Sequence, residues 1–364
     1  MSRAPSRQYR LGGLLAAVSA GALAGVTALT PALAATGPSM TANHNAVNIA
    51  VPGPGNSLRF YWASNGSPTW HAEKVAGSGT TFSAPSMNVD GNGVNITAQG
   101  PHHSLWFWWT VNGSSTWHQE KVAGAGTTFS APSMTVNGNS VNIVAEGPNH
   151  SLRFWWAVNG SPTWHAEKVA GAGTTYSAPS VNADAGDVNI AAADAARRLK
   201  FYWAVNGSST WHAETVAGAG TTFSAPSMTV NGNSVNIVAQ GASHRLKFYW
   251  AVNGSPTWHA ETVAGVSTVY SAPSVAINAG AVTIAAGGAR NRLRFFWATN
   301  GSATWHAETV ANPRTTYSAP SITANDNSVN ISAVGASNRL KFYWAVNGSS
   351  TWHAETVAGP GSVR

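Results

Sequence analysis

Apolar and polar positions alternate along short segments of this chain. In "SLRFWWAV", Leu152, Phe154 and Trp156 share one face, while Arg153 and Trp155 share the other. A period of two residues is typical of β-strands. The following "NGSP" predicts a tight hairpin turn, because Asn and Gly both tolerate positive φ, and "TWHAEKV" is then the next strand. "SMTV" and "VNIVA" predict two more strands in the same unit.

This four-strand unit repeats every 47 residues. Units start near residues 38, 85, 132, 179, 226, 273 and 320. Repeats of this length with four short strands are typical of propeller blades. We therefore predict an all-β, seven-bladed β-propeller with four short antiparallel strands per blade over residues 38–364. An open β-solenoid is the alternative, but solenoids need atypical capping repeats, and the first and last units resemble the middle ones.

The first 34 residues predict a secretory signal peptide. A basic segment with Arg3, Arg7 and Arg10 precedes an apolar stretch and a cleavage motif at Ala32-Leu33-Ala34,. An uncleaved membrane anchor is the alternative. We expect a secreted, extracytoplasmic protein without stable membrane insertion after cleavage.

The chain has no cysteine, so disulfides cannot stabilise it,. Without the leader the net charge falls from +7 to +4, which does not favour nucleic acid as a partner.

The aromatic residues fall into two groups. Trp62 shares a fully apolar strand face with Leu58 and Phe60, which predicts packing between blades. The opposite face pairs a basic residue with an aromatic one, and the next strand presents the Trp, His and Glu of "TWHAE". An aromatic ring can stack on the C–H face of a sugar, while charged side chains bind its hydroxyl groups. A purely structural role for the Trp-His pair is the alternative.

We therefore predict carbohydrate binding by two sets of residues. The first set is the Trp, His and Glu of each "TWHAE" segment: Trp70, His71, Glu73, Trp117, His118, Glu120, Trp164, His165, Glu167, Trp211, His212, Glu214, Trp258, His259, Glu261, Trp305, His306, Glu308, Trp352, His353 and Glu355. The second set is the basic and aromatic face: Arg59, Tyr61, Arg153, Trp155, Lys200, Tyr202, Lys247, Tyr249, Arg294, Lys341 and Tyr343.

Catalysis and metal binding are not predicted. His71 and Glu73 lie on one strand face, but no third ligand recurs in every unit, so neither a metal nor another cofactor is expected. Seven near-copies of each polar residue do not provide the asymmetric acid and base that catalysis requires. Repeated weak sites instead favour multivalent binding. The alternatives are a protein-interaction scaffold without sugar binding and a polysaccharide-active enzyme.

The tandem "LRFYWA", "NGS", "TWHAE" and "VAG" segments resemble the repeats of secreted bacterial and fungal seven-bladed propeller lectins. The resemblance implies a non-catalytic protein that binds glycans, often fucose or related sugars, between neighbouring blades. The fourth and sixth units depart from the common "VNGNSVNIVA" pattern. We therefore expect fewer than seven occupied sites in each chain.

Overall fold

The computed structural model describes residues 37–42, 46–91, 93–111, 113–184, 186–278, 280–325 and 327–364. The predicted signal peptide lies outside the described residues. The described chain forms a seven-bladed β-propeller, and each blade is a four-stranded antiparallel sheet in sequence order. The prediction of fold class is therefore confirmed.

The strands of the first four blades have similar lengths. Blade 1 contains β1 Ser39–Ala42, β2 Ala46–Gly53, β3 Ser57–Ser64 and β4 His71–Ala76. Blade 2 contains β5 Ser86–Asp90, β6 Gly93–Gln99, β7 Leu105–Val111 and β8 His118–Ala123. Blade 3 contains β9 Ser133–Asn137, β10 Ser140–Gly147, β11 Ser151–Val158 and β12 His165–Ala170. Blade 4 contains β13 Ser180–Ala183, β14 Asp187–Ala193, β15 Leu199–Val205 and β16 His212–Ala217.

The last three blades follow the same plan. Blade 5 contains β17 Ser227–Asn231, β18 Ser234–Gly241, β19 Arg245–Val252 and β20 His259–Ala264. Blade 6 contains β21 Ser274–Asn278, β22 Ala281–Gly288, β23 Arg292–Thr299 and β24 His306–Ala311. Blade 7 contains β25 Ser321–Ala324, β26 Ser328–Gly335, β27 Arg339–Val346 and β28 His353–Ala358.

Two kinds of turn lie at opposite ends of the third strand of a blade. A short 3-10 turn joins the second and third strands in six blades: Pro54–Asn56, Pro101–His103, Pro148–His150, Ala242–His244, Ala289–Asn291 and Ala336–Asn338. The Asn-Gly turn joins the third and fourth strands, and its glycine has positive φ, as at Gly160 with φ 81°. We call these two ends of the propeller the 3-10 end and the Asn-Gly end.

The hydrophobic core is divided into clusters between neighbouring blades. Between blades 1 and 2, Leu58 and Phe60 of β3 pack against Ile96 and Trp108 of the next blade. Equivalent clusters lie at the other interfaces, including that between blades 7 and 1. Burying apolar area at every interface stabilises the ring in the absence of disulfides.

The ring also closes through hydrogen bonds between the innermost strands. The backbone N–H of Met87 donates to Ser39 Oγ of the preceding blade at 2.9 Å. The same contact joins the last blade to the first, where the Met40 N–H donates to Ser321 Oγ at 3.0 Å. The first and last blades therefore meet as other neighbouring blades do, and the solenoid alternative is wrong.

The prediction about the third strand was correct for one face, where Leu58 and Phe60 lie in the core with Trp62 packed against them, and wrong for the other. We expected the Trp62 face to be the core and the Arg59–Tyr61 face to be accessible. Instead Tyr61 is 6% exposed and Trp62 is half-buried. Trp155, Tyr202, Tyr249 and Tyr343 are buried in the same way as Tyr61. The reason is that each blade packs between two neighbours, so both faces of its third strand are covered.

Candidate functional site

Six of the seven glutamates in the "TWHAE" segments join two indole rings from neighbouring blades, and among the described indoles Glu214 accepts only from Trp258. Glu167 Oε1 accepts a hydrogen bond from Trp156 Nε1 of its own blade at 3.0 Å. Glu167 Oε2 accepts one from Trp211 Nε1 of the next blade, also at 3.0 Å. A bond that pairs a charged acceptor with a partly buried donor is stronger than a neutral one. We call this arrangement the indole–carboxylate clamp.

The clamp recurs around the ring with nearly constant geometry. The indoles of the "TWHAE" segments donate to the preceding blade's glutamate at 2.8–3.0 Å in the pairs Trp70–Glu355, Trp117–Glu73, Trp164–Glu120, Trp211–Glu167, Trp258–Glu214, Trp305–Glu261 and Trp352–Glu308. The indoles of the third strands donate within the blade at 3.0–3.1 Å in the pairs Trp62–Glu73, Trp109–Glu120, Trp156–Glu167, Trp250–Glu261, Trp297–Glu308 and Trp344–Glu355.

The two indoles of a clamp are themselves fixed by aromatic contacts. Trp62 stacks on His71 with ring centroids 4.1 Å apart and an interplanar angle of 15°. Trp117 meets Phe60 edge to face at 5.3 Å and 67°. Such contacts contribute about 0.5–1.5 kcal/mol beyond the area they bury. The exposed histidine therefore covers one face of the third-strand indole and sets its orientation.

The clamps line clefts between blades at the Asn-Gly end. The cleft between blades 3 and 4 has a volume of about 200 Å³, and its lining includes Asn142, Trp156, Glu167 and Trp211. The cleft between blades 7 and 1 is larger, at about 530 Å³, and the equivalent residues line it: Trp70, Asn330, Trp344 and Glu355. Residues of the Asn-Gly turn form the outer wall in both clefts.

A buried asparagine on the second strand completes this polar lining. It occupies the same position in six blades, as Asn48, Asn95, Asn142, Asn189, Asn236 and Asn330, and each pairs with the third-strand tryptophan of its blade. Asn95 and Asn189 are 4% and 1% exposed. Their Nδ2 atoms have no hydrogen-bond partner among the described residues. Burying an amide N–H without a hydrogen-bond acceptor costs free energy. A ligand oxygen that accepts from either Nδ2 atom would therefore be stabilised there.

The chemistry of a cleft follows from these groups. Each oxygen of the clamped carboxylate accepts one indole N–H and retains a lone pair for another donor. The asparagine amide supplies a donor, and the indole rings supply apolar walls. A ligand with hydroxyl groups and an apolar face fits this combination.

The structure brings only part of the predicted site together. The Trp and Glu residues of "TWHAE" meet in the clefts, whereas His71 lies outside and supports Trp62. Arg59 and its equivalents lie at the start of the third strand, near the 3-10 end, and Tyr61 is inside the core. In blade 4, burial, with a smaller contribution from the charge of Asp194, raises the pKa of Tyr202 to about 12. Arg59, Tyr61 and their equivalents therefore do not line the clefts described above.

Two groups of cleft residues were missed by the sequence reasoning. The third-strand tryptophans were assigned to the core, although their ring N–H reaches the clamp. The second-strand asparagine was not singled out, although asparagine is disfavoured inside strands and recurs within "VNI" in most units. A polar residue repeated inside an otherwise apolar strand is the signal that could have identified this position.

Two further observations concern metal ions and membranes. Within the described ranges, no three His, Asp or Glu side chains are close enough together to hold a metal ion. None of the described segments forms a helix of the length and apolar character needed to cross a bilayer.

A family model described as "Outer membrane protein assembly factor BamB" matches residues 159–364, which is more than half of the chain. The chain belongs to this family. The BamB family match covers the end of blade 3 and all of blades 4–7. None of the curated proteins matches the chain by sequence.

Solved propeller structures resemble this BamB-family chain. The BP39L lectin from Burkholderia pseudomallei superposes with a TM-score of 0.79 at 16% sequence identity. The superposition covers 91% of this chain and 99% of the lectin chain. The Aleuria aurantia lectin, in complex with alpha-methyl-L-fucoside, has a TM-score of 0.54 at 9% identity, with coverages of 77% and 95%. A puromycin-hydrolyzing peptidase from Mycobacterium tuberculosis has a TM-score of 0.59 at 11% identity, with coverages of 87% and 52%. At these identities the similarity concerns the fold.

Proposed function

We propose that this protein is a non-catalytic lectin that binds sugars in the clefts between its blades. The indole–carboxylate clamp is the observation that carries the proposal. It places a carboxylate with free lone pairs between aromatic walls, and a buried amide lies beside it. Ligand pockets usually have volumes of roughly 300–1,000 Å³. The cleft of about 530 Å³ lies in the lower half of this range, and the cleft of about 200 Å³ lies below it. A short saccharide of one or two rings suits this size.

The repeated clefts support multivalent binding from a secreted protein. Equivalent weak sites on one rigid ring combine through effective concentration when the ligand is a dense glycan surface. Fucose or a related sugar is the first class to test, because the Aleuria aurantia lectin was solved with a fucoside. A secreted location agrees with the leader predicted for residues 1–34, and it remains part of the proposal.

A glycan array with the purified protein tests this proposal. We expect binding to a subset of neutral glycans, stronger at high glycan density, and competition by the free monosaccharide. The variant Gln119→Ala serves as a control, because Gln119 is exposed and the equivalent position in the other blades is alanine. Silence of the wild-type protein across a broad array would contradict the proposal.

The second candidate is a protein-interaction scaffold, which the family match favours. Exposed aromatic residues between blades, among them Phe129 and Tyr317 at 42% and 51% exposure, offer a surface for a protein partner. This candidate predicts no glycan signal, together with retention of a protein partner that survives mutation of the clefts. A polysaccharide-active enzyme is the third possibility from the sequence, and release of reducing sugar from polysaccharides tests it.

A further inference from the structure

The charge of the chain is concentrated in its last three blades. Residues 224–364 contain nine Lys and Arg residues and four Asp and Glu residues, whereas residues 38–223 contain eight and nine. The first four blades are therefore nearly neutral, and the last three carry the positive excess. An uneven distribution of this size creates a local positive potential even when the net charge is modest.

In these three blades the negative groups are bound by indoles, whereas the positive groups lie towards the 3-10 end. Glu261, Glu308 and Glu355 each accept hydrogen bonds from two indoles. The remaining acidic residue, Asp326, lies outside the described residues. Most of the basic residues instead lie at the 3-10 end, where the third strands start. Glu308 pairs in register with Phe295, three positions after Arg292, so roughly 10 Å of strand separates the two positions. The carboxylate is occupied by its two indole donors and makes no ion pair with the arginine.

A substitution at one repeat position contributes to this difference. The first residue before the third-strand leucine is Ser57, Ser104 or Ser151 in blades 1–3, and its hydroxyl donates to a proline carbonyl in the 3-10 turn. The same position is Arg198, Arg245, Arg292 or Arg339 in blades 4–7. Arg198 pairs with Asp194 at 3.3 Å. Among the described residues, the other ion pair is His150–Glu146, so the arginines of blades 5–7 have no described carboxylate partner.

Blade 6 has the densest group of these arginines. The backbone N–H of Arg314, in the connection to blade 7, donates to the carbonyl of Arg290 at 2.8 Å. Arg292 and Arg294 follow Arg290 at alternate positions, and their buried Nε atoms have no partner in the described structure. Burial and the charge of Arg292 both lower the pKa of Arg294. The backbones of these four arginines are thus close together, and none of the four has an ion-pair partner among the described residues.

Exposed tyrosines lie beside these arginines. Tyr270 is 48% exposed, and its N–H donates to the Gly287 carbonyl at 2.7 Å, next to Gly288, which packs against the Arg294 side chain. One face of the Tyr270 ring stacks on His244 at 4.2 Å. Tyr317 occupies the equivalent place at blade 7 and is 51% exposed. Rings with an available surface and unpaired guanidinium groups therefore lie together at two successive interfaces.

We propose that the arginine rim, formed by Arg245, Arg290, Arg292, Arg314 and Arg339, binds an acidic polysaccharide. Guanidinium groups bind carboxylate or sulfate groups through paired hydrogen bonds, and the tyrosine rings stack on the sugar faces. The rim extends over three blades, which favours an extended polymer over a single small anion. The choice of a polysaccharide over a nucleic acid rests on the proposed lectin function, but the rim is separate from the indole–carboxylate clamps.

Dextran sulfate, with neutral dextran as its matched control, tests the proposal on the full-length protein. The triple variant Arg245→Ser, Arg292→Ser and Arg339→Ser introduces the residue that blades 1–3 carry. The control variant Lys74→Thr, Lys121→Thr and Lys168→Thr removes the same number of charges and introduces the residue that blades 4–7 carry at the exposed position on the fourth strand. Thermal unfolding of both variants establishes that they are folded.

We expect the wild-type protein to bind dextran sulfate and not dextran, with affinity falling roughly tenfold or more between about 50 and 200 mM salt. The arginine variant should lose at least about tenfold in affinity and the lysine variant less than about twofold. Equal losses in both variants, or wild-type binding that does not depend on salt, would overturn the proposal. Single-stranded DNA that binds as tightly through the same arginines would also overturn the choice of ligand. Binding to dextran sulfate with a silent neutral glycan array would refute the lectin proposal and leave the rim proposal standing.

Discussion

At the scale of single residues, one carboxylate both stabilises the protein and forms part of the candidate site. Glu167 accepts N–H groups from Trp156 and Trp211, which belong to different blades. Removing it would leave two indole donors without an acceptor in a partly buried place. The structural role of the "TWHAE" segment is therefore compatible with the proposed binding role, since the same side chains would serve both.

The Glu167→Gln variant distinguishes these two roles, because it should reduce stability only partly but abolish sugar binding at one cleft. The amide can accept from one indole but presents a donor to the other, so we expect a loss of about 1–3 kcal/mol in the free energy of unfolding. Sugar binding at the cleft between blades 3 and 4 should be lost, while the other clefts remain occupied. Chemical denaturation and calorimetric stoichiometry measure the two effects, with Gln119→Ala as the matched neutral change. Unchanged stoichiometry in a folded Glu167→Gln protein would exclude this cleft as a sugar site.

The buried tyrosines predict a loss of stability at alkaline pH. Burial raises the pKa of Tyr202 to about 12, whereas its value in the unfolded chain is about 10. The neutral form is favoured in the folded state, so its contribution to stability is fully present below about pH 10 and is lost as the pH rises towards 12. Tyr202→Phe, which copies Phe296 of blade 6, should reduce the decline of the unfolding temperature in this interval. An identical alkaline decline in the variant would show that Tyr202 is not responsible.

At the scale of the element, the blades share a plan but differ in their clefts. Blade 6 has Thr283 where six blades have asparagine, and the Thr283 hydroxyl donates to the Ala276 carbonyl at 2.9 Å within the blade. The corresponding position of blade 6 therefore lacks the amide donor. This difference gives a structural reason to expect that the seven clefts are unequal.

Calorimetry should therefore give fewer than seven sugar sites in each chain. Thr283→Asn should add a site or strengthen one, because it supplies the amide that the other clefts contain. The reciprocal change Asn236→Thr in blade 5 should remove one, with a loss of about 1–3 kcal/mol of binding free energy at that cleft. Seven identical sites in the wild-type protein would refute the prediction.

At the scale of the whole molecule, the interface between blades 7 and 1 is equivalent to the internal ones. Trp70 donates to Glu355 at 2.8 Å and meets Phe342 edge to face at 5.1 Å. Trp164 makes the same contacts with Glu120 and Phe107, at 2.9 Å and 5.2 Å. No strand needs to be exchanged between the termini to form these contacts, since each blade is built from consecutive strands.

Trp70→Ala and Trp164→Ala should therefore destabilise the protein equally. Full burial would give a cost of about 3–5 kcal/mol; these indoles are half-buried, so we expect about 2–4 kcal/mol for each. Denaturation midpoints of the two variants provide the comparison, and Gln119→Ala serves as a control that truncates an exposed side chain. A Trp70→Ala protein as stable as the wild type would mean that the ring is open between blades 7 and 1.

The sequence alone determined the fold and the number of blades. A period of two residues within strands, an Asn-Gly turn in most units and a spacing of 47 residues are local features, so they can be read without knowing which strands meet. The same local features predicted Trp and Glu of "TWHAE" as candidate site residues, and the structure places them together; sugar binding by them stays a prediction. The sequence did not reveal which blade supplies each partner.

Only the tertiary structure decided which face of each third strand is accessible. Alternation distinguishes two faces, but a blade packed between two neighbours buries both, so Tyr61 is deeper than Trp62. The clamp joins residues 44 positions apart, as in Trp211 and Glu167, and also joins Trp70 to Glu355 across the closed ring. Closure of the ring brings these side chains together because it fixes the angle between neighbouring blades. That angle depends on all seven interfaces together, so it cannot be derived from the sequence of a single repeat.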